Sequence, residues 1–359
     1  MIPTEGSRLA RVERVVAAGR RAADAADPLG REARAALLAS SGLSAEGVAL
    51  ALGEHLETHP APAHLDALLA GTGRAPHCHV VLAANVCTAA LRALCVAVAT
   101  APRVSVRPSR RDPALAQILI RALEDDPAFS AAGGAVACVE AISASPGYEH
   151  HIHGSDEAVR EIAASVAPEV TVRGHGAGLG VAVVARGDVL DRAALAVARD
   201  VIPFDQRGCL SPRAVLVEGD APRAEDFGRA LHSALGALSA AVPRGPLDAA
   251  TLAEIAFYRA SMQAIGDLWE GPSHVVGLDP SPRALVVPPP ARVVHVVPVD
   301  PDAGAALLGS WASYLTSVGA DAEGGLAGAV RELAPRARRA RLGEMQRPPL
   351  DGPVDLRAR

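Results

Sequence analysis

The sequence predicts an α/β protein: a doubly wound parallel sheet followed along the chain by a second α/β unit. Three observations carry this reading. The first seventy residues are helical in pattern, short Val-rich runs alternate with helical stretches from about residue 79 onwards, and the chain has the makeup of a globular protein, with 359 residues, 50% hydrophobic and 21% charged. Such a chain has ample apolar area for a core and no charge excess that would favour disorder, and its length predicts two domains.

Residues 7–71 read as amphipathic helices broken at Asp27-Pro28-Leu29-Gly30 and again across 58–62, where prolines and polar residues interrupt the pattern. Runs at 80–83, 104–107, 135–138 and 181–185 read as strands buried on both faces, with helices at 88–99, 113–123 and 155–166 between them. Strands alternating with helices at this spacing argue for a parallel sheet, which takes ligands at the carboxyl ends of its strands. A second unit begins near Gly187 with a helix at 191–199, a strand at 214–218, a helix at 225–241 and a strand at 292–299. The domains expected are a helical N-terminal region (1–78), a parallel-sheet domain (79–187), a second α/β domain (188–330) and a C-terminal arm (331–359).

Charge and composition exclude several functions. The net charge is −5 and only nine residues are Phe, Trp or Tyr, so the chain lacks both the basic surface and the stacking platforms of a nucleic-acid binder. All 35 basic residues are arginine. The opening Met-Ile-Pro-Thr-Glu has neither a basic nor an apolar leader character, which sets a cytoplasmic expectation. Residues 79–101 are long and apolar enough to span a bilayer, but a central arginine costs roughly 2.5–3.5 kcal/mol in insertion, and Arg92 sits there beside Asn85. A buried strand, turn and helix is expected instead. Five cysteines without a C-x-x-C pair suit reduced thiols. The triplet His77-Cys78-His79 and the run His150-His151-x-His153 match no zinc spacing, so no metal is expected.

The stretch 200–212 carries the most chemistry. A helix ends, a polar loop follows, and Gly208-Cys209-Leu210-Ser211-Pro212 leads into a strand. A loop cysteine after a glycine is open to a ligand, while a free cysteine is also among the most buried of residues. Local sequence leaves both readings of Cys209 open. The apolar surroundings of Cys87, Cys95 and Cys138 predict burial for those three.

The motif Phe204-Asp205-Gln206-Arg207-Gly208-Cys209-Leu210-Ser211-Pro212 resembles the nucleophile segment of the bacterial luminescence fatty acyl reductase family (LuxC), a branch of the aldehyde dehydrogenase superfamily. Four other segments match in the same order. Ala83-Ala84-Asn85-Val86 resembles the family's Gly-Asn-Val-Pro turn, with Ala84 and Cys87 departing from Gly and Pro. Residues 106–113 resemble the superfamily's Lys-Pro-Ser strand end, with Arg107 for the lysine, and 153–159 resemble the Gly-Ser turn that opens a cofactor-facing helix. Residues 343–352 are similar to the C-terminal signature without its tryptophan.

The resemblance implies an aldehyde dehydrogenase-like fold and reduction of a fatty acyl-CoA or acyl-carrier thioester to an aldehyde with NADPH. It implies Cys209 as nucleophile and Asn85 as oxyanion donor. Arg107 would lie near the ribose and Gly154 and Ser155 near the phosphates, with Ser109 also cofactor-binding, although Asp156 and Glu157 crowd that helix start with negative charge. Residues 172–178 take the place of the segment that carries a water-activating glutamate in hydrolytic relatives, and they hold no carboxylate. His175 reads there as a proton shuttle or as an ordinary loop residue. The glycines at 174, 176, 178 and 180 precede a strand rather than a helix and so fail as a dinucleotide fingerprint. A non-acylating dehydrogenase and a non-catalytic acyl-binding protein are the alternatives, and assembly into a homo-oligomer is left open.

Overall fold

The computed structural model describes residues 5–357; the first four, read above for leader features, and the last two lie outside the described residues. The chain divides into two compact units. One holds the described residues up to Ala177 together with those from Pro349 onwards, and the other holds Gly178–Pro348.

The first unit opens with four helices, α1 (Glu5–Ala23), α2 (Pro28–Ser40), α3 (Ala45–Glu54) and α4 (Pro62–Gly71). The breaks between them follow the sequence signals. Asp27 caps α2 by accepting the Leu29 N–H, Pro28 takes the first helical position where no N–H is needed, and Pro62 does the same for α4. There follow β1 (His77–Val81), α5 (Ala89–Thr100), β2 (Arg103–Arg107), α6 (Ala114–Glu124), α7 (Pro127–Ala131), β3 (Ala135–Cys138), β4 (Glu149–His153), α8 (Asp156–Ser165) and β5 (Thr171–His175). The five strands form one parallel sheet in the order β3-β2-β1-β4-β5. The chain reverses its direction of growth between β1 and β4, the place where sheets of this kind take ligands at their carboxyl ends.

The apolar segment 79–101 is β1, a turn and α5, in which every residue from Ala90 to Thr100 is buried. Arg92 is accommodated by partners. It forks onto Glu57 at 2.7–3.0 Å and donates to the carbonyls of Pro349 and Gly352 at 2.8 and 2.6 Å, tying the end of the chain to α5. Arg8 and Arg11 of α1 donate to the Ala99 and Val98 carbonyls, satisfying acceptors that the end of α5 leaves bare. Among the described residues no helix is long and apolar enough to cross a membrane.

The second unit comprises β6 (Leu179–Val184), α9 (Leu190–Val201), β7 (Pro212–Glu218), α10 (Ala221–Ala241), α11 (Ala249–Ile265), β8 (Asp267–Glu270), β9 (Val275–Leu278), β10 (Val293–Val299), α12 (Pro301–Leu307), β11 (Leu315–Gly319), α13 (Gly325–Leu333) and β12 (Arg338–Ala340). Its sheet runs β12-β11-β6-β7-β10-β9-β8, parallel except for β8, which pairs antiparallel with β9. Val181, Val183, Leu216, Val297, Leu315 and Val318 join Leu326 and Val330 of α13 in one core.

Three features depart from the sequence reading. The strand β6, expected in the first sheet, pairs with β7 and β11 of the second. The strand β3 is an edge strand with only Val136 buried, not a strand covered on both faces. Glu149–His153 and Thr171–His175 are strands that their polar residues concealed.

Candidate active site

The Cys209 loop is held against the amino edge of the second sheet. The Ser211 N–H donates to the Gly208 carbonyl at 3.1 Å, closing a β-turn with Cys209 and Leu210 at its two central positions. Cys209 is half-buried there. The trans peptide fixes a further direction: with the Gly208 carbonyl turned into the turn, the Cys209 N–H points to the opposite side. Gly180 at the start of β6 donates to the Ser211 carbonyl at 3.1 Å, and a Cβ on Gly180 would lie 2.4 Å from the Leu210 carbonyl oxygen, so only glycine lets β6 run beneath the turn. The Thr316 hydroxyl of β11 binds the Cys209 carbonyl and lies 3.1 Å from that of Leu179.

The approach to this turn is strained. Phe204, Asp205 and Gln206 all have left-handed backbone, with φ of 54°, 51° and 62°. Non-glycine residues pay for that conformation at about 1–2 kcal/mol each, on the order of 3–6 kcal/mol for the three. Their side chains supply the compensation. The Gln206 amide donates to the Pro212 and Val293 carbonyls and accepts the Val293 N–H, all at 2.8 Å, so every polar atom of this fully buried side chain is used. Asp205 Oδ1 accepts from Arg292 Nε and Nη2 at 3.1 and 2.8 Å, and Oδ2 accepts the Gly245 N–H at 3.1 Å. Strain held in place by surrounding structure is a mark of functional sites. The motif residues around Cys209 thus have positions in the loop's construction, none of which local sequence could show.

Asp200, at the end of α9, accepts the N–H groups of Gly343 and Met345 at 2.7 and 2.8 Å, and Gln346 donates to the Ser211 hydroxyl at 3.0 Å. The conspicuous segment at 343–346 therefore packs under the Cys209 turn. Burial pushes the Asp200 carboxyl up to about 7 against the pull of these N–H groups.

The other candidates lie in the first unit. Asn85 is exposed in the turn that leaves the carboxyl end of β1. Arg107 ends β2, half-buried, and its guanidinium makes no hydrogen bond or ion pair with any described residue. Ser109 accepts the Arg111 N–H at 3.3 Å in the turn that follows. Gly154 and Ser155 link the carboxyl end of β4 to α8, where Ser155 caps the helix by accepting the Ala158 N–H. Gly154 donates its own N–H to the His175 carbonyl, and a Cβ there would meet that of Ala158 at an ordinary 3.5 Å. Asp156 and Glu157 lie in the first turn of α8, and the Asp156 carboxylate accepts the Ala177 N–H at 2.8 Å. An arginine without a partner among the described residues, at the carboxyl end of β2, fits a phosphate-bearing nucleotide at the β1/β4 crevice, while the two carboxylates in the first turn of α8 disfavour a phosphate seated on that helix start.

Of the three cysteines expected to be buried, Cys95 is and Cys87 and Cys138 are not. Cys78 and Cys95 are buried, whereas Cys138 is exposed at the end of edge strand β3 and Cys87 is half-buried. Although Cys138 is exposed, partial desolvation of its sulfur and the charge of Glu124 push the thiol up, which disfavours its thiolate.

The histidines sort by strand alternation. His79 and His150 face one side of the sheet, where Ser143 contacts both rings; His151, His153 and His175 stack on the other, with His153 and His175 centroids 4.3 Å apart. His175 is a strand residue rather than a loop residue. Burial and the neighbouring His151 push it down to about 3, leaving a neutral ring that is a poor shuttle at neutral pH. Among the described residues, two carboxylates from outside the segment touch residues 172–178: Asp156, which accepts the Ala177 N–H, and Glu149, which is bound to His151 and Arg173 and held below the usual range by them. The Glu149 Cα pairs with Thr171, at the amino end of β5.

A family model described as acyl-CoA reductase (LuxC) matches residues 70–356. Comparison with curated proteins gives no match. Among solved structures, the chain is similar to an NAD-dependent benzaldehyde dehydrogenase from Corynebacterium glutamicum, with a TM-score of 0.68 and 16% identity over 94% of this chain and 79% of that one. It is similar to lactaldehyde dehydrogenase from Escherichia coli, with a TM-score of 0.67 and 15% identity over 94% and 78%. A propionaldehyde dehydrogenase from the Clostridium phytofermentans fucose utilisation microcompartment gives 0.66 and 11% over 98% and 84%. The fold is therefore aldehyde dehydrogenase-like.

Proposed function

The chain belongs to the acyl-CoA reductase (LuxC) family and is an oxidoreductase, and from that premise we propose that it reduces a fatty acyl thioester to the aldehyde with NADPH, through an acyl-enzyme on Cys209. The observation that supports this most is the construction of the Gly208–Ser211 turn, which leaves Cys209 half-buried and directs its N–H away from the turn.

The chemistry proposed for these residues is direct. The Cys209 thiolate attacks the thioester carbonyl, forming a carbon–sulfur bond; the bond to the carrier sulfur breaks, and the carrier leaves as a thiolate that takes a proton from water. One thioester replaces another, so the step is nearly balanced and reversible. The oxygen that gains charge needs donors already in place, each typically contributing about 2.7–4 kcal/mol in the transition state. The Cys209 N–H is one, and the Asn85 amide is assigned as the other on the resemblance of its turn to that of the family.

Arg107, Ser109, Gly154 and Ser155 would hold the nucleotide, with the planar fork of Arg107 suited to a 2′-phosphate. When bound, the nicotinamide nucleotide supplies the electron pair and hydrogen that convert the acyl carbon to an aldehyde carbon. Cys209 then departs as thiolate, and the same donors hold the oxygen until the carbonyl re-forms. Residues 172–178 contain no carboxylate to activate water, which supports thioester chemistry over oxidation to an acid. An acyl-carrier thioester serves the same chemistry as acyl-CoA, and self-association remains part of the proposal only as a homo-oligomer of unspecified size. A screen of acyl-CoAs of graded length with NADPH, reading aldehyde, tests the assignment; no aldehyde from any chain length would leave the non-catalytic alternative standing.

A further inference from the structure

Asp205 lies four residues before Cys209, and its carboxylate is buried. The loop facing it is left-handed as well: Ala291 and Arg292 have φ of 81° and 66°. The two strained segments are joined by main chain and side chain together, since the Ala291 N–H donates to the Asp205 carbonyl at 3.0 Å while Arg292 forks onto the Asp205 carboxylate. Arg292 is 1% exposed, and its remaining arm is also used. Nη1 donates to the Ser239 hydroxyl at 3.0 Å and to the Val242 carbonyl at 2.8 Å, where α10 ends. Arg244 secures the same loop from outside by donating to the Ser273 and Ala291 carbonyls.

We propose that Arg292 is a positioning residue for Cys209: by anchoring the left-handed Asp205 turn to the end of α10, it sets the direction of the Cys209 N–H. The inference rests on the reading of Cys209 as nucleophile. Only a planar guanidinium can meet Asp205 on one side and two α10 acceptors on the other. Without it, the Asp205 carboxylate keeps the Gly245 N–H and Arg207 at 3.9 Å; the Ala291 N–H and the Gln206 amide still hold the main chain, but the side-chain tie from the left-handed turn to the end of α10 is gone. The turn then relaxes, and the peptide joining Gly208 to Cys209 swings with it. Access to the thiol survives this change; alignment of the oxyanion donor does not.

Two reactions of the same sulfur separate those properties. Alkylation of Cys209 by iodoacetamide needs only a reachable thiolate, whereas acylation by an acyl-CoA also needs the N–H in place. In Arg292→Lys, single-turnover acylation is expected to fall about tenfold or more while alkylation stays near the parent rate and the KM for nucleotide is unchanged. Asp205→Asn, which keeps the shape but loses the charged pair, is expected to move the same way and stands in if the arginine variant does not fold. Circular dichroism and melting identify the folded variants. Parental acylation in a folded variant, or an equal fall in acylation and alkylation, overturns the inference. Failure of the parent protein to acylate Cys209 at all overturns the nucleophile reading instead, and this inference with it.

Discussion

The Ser211 N–H and the Gly208 carbonyl, 3.1 Å apart, close the turn that presents Cys209. That bond fixes the orientation of the peptide in front of the cysteine, so the residue whose sulfur would attack the acyl carbon and the N–H that would receive the oxygen of the resulting tetrahedral centre belong to one local element. Gly180, Thr316 and Gln206 then fasten the turn to the starts of β6, β11 and β10. The site consequently lies at the amino edge of the second sheet, whereas the nucleotide candidates lie at the carboxyl ends of strands in the first.

Cofactor preference follows from Arg107. With an unpartnered guanidinium at the end of β2, the enzyme is expected to prefer NADPH over NADH, and Arg107→Ala to erode that preference. The ratio of kcat/KM for the two nucleotides measures it. Equal values in the parent protein would contradict the assignment of Arg107.

Release of the acyl group is expected to favour a thiol over water. Offered an aldehyde and NADP, the enzyme should oxidise it far faster with CoA present than without, because residues 172–178 bring no carboxylate of their own, Glu149 is bound at the amino end of its strand, and Asp156 is engaged by the Ala177 N–H. Comparable rates with and without CoA would return the non-acylating alternative.

Much of this was legible in the sequence, and what was not has a physical reason. The strands β1 and β2 showed as Val-rich runs and the start of α2 showed in Asp27-Pro28, because those signals are local. The strand β4 did not, since Glu149-His150-His151-Ile152-His153 satisfies its polar side chains through partners such as Ser143 and His175 rather than through apolar alternation. Asp205 stood in the motif, but its partner Arg292 is 87 residues away, and Asp200 binds a segment 143 residues on. No window on the chain contains both halves of either pair.

Asp200 gives a pH dependence with a defined sign. Its folded carboxyl is pushed up to about 7 from an ordinary 3.8, so the folded protein binds this proton more tightly than the unfolded chain does. Stability from this group is present below about pH 4 and is lost as pH rises towards 7. The melting temperature of the parent relative to Asp200→Asn, whose side chain does not titrate, is expected to decline over that interval. A difference constant from pH 4 to 7 would contradict the raised value.

Arg92 holds the end of the chain. Removing it as Arg92→Ala strands Glu57 and the Pro349 and Gly352 carbonyls, a loss of about 3–5 kcal/mol for a broken buried pair. Urea unfolding measures the loss, and limited proteolysis should cut after about residue 348 in the variant first. Unchanged stability would mean that water replaces the guanidinium there.

The central claim is tested most directly by acyl transfer to Cys209 in the absence of nucleotide. Incubated with a long-chain acyl-CoA alone, the protein is expected to stop after the first half-reaction with one acyl group attached as a thioester, and peptide mapping by mass spectrometry should find it on Cys209. Because Cys87 and Cys138 are also reachable, the map must distinguish the three. Asn85→Ala should still acylate, but slowly, and Cys209→Ala should neither acylate nor form aldehyde while remaining folded. Stoichiometric acylation at Cys87 or Cys138, or normal turnover by Cys209→Ala, would contradict the account.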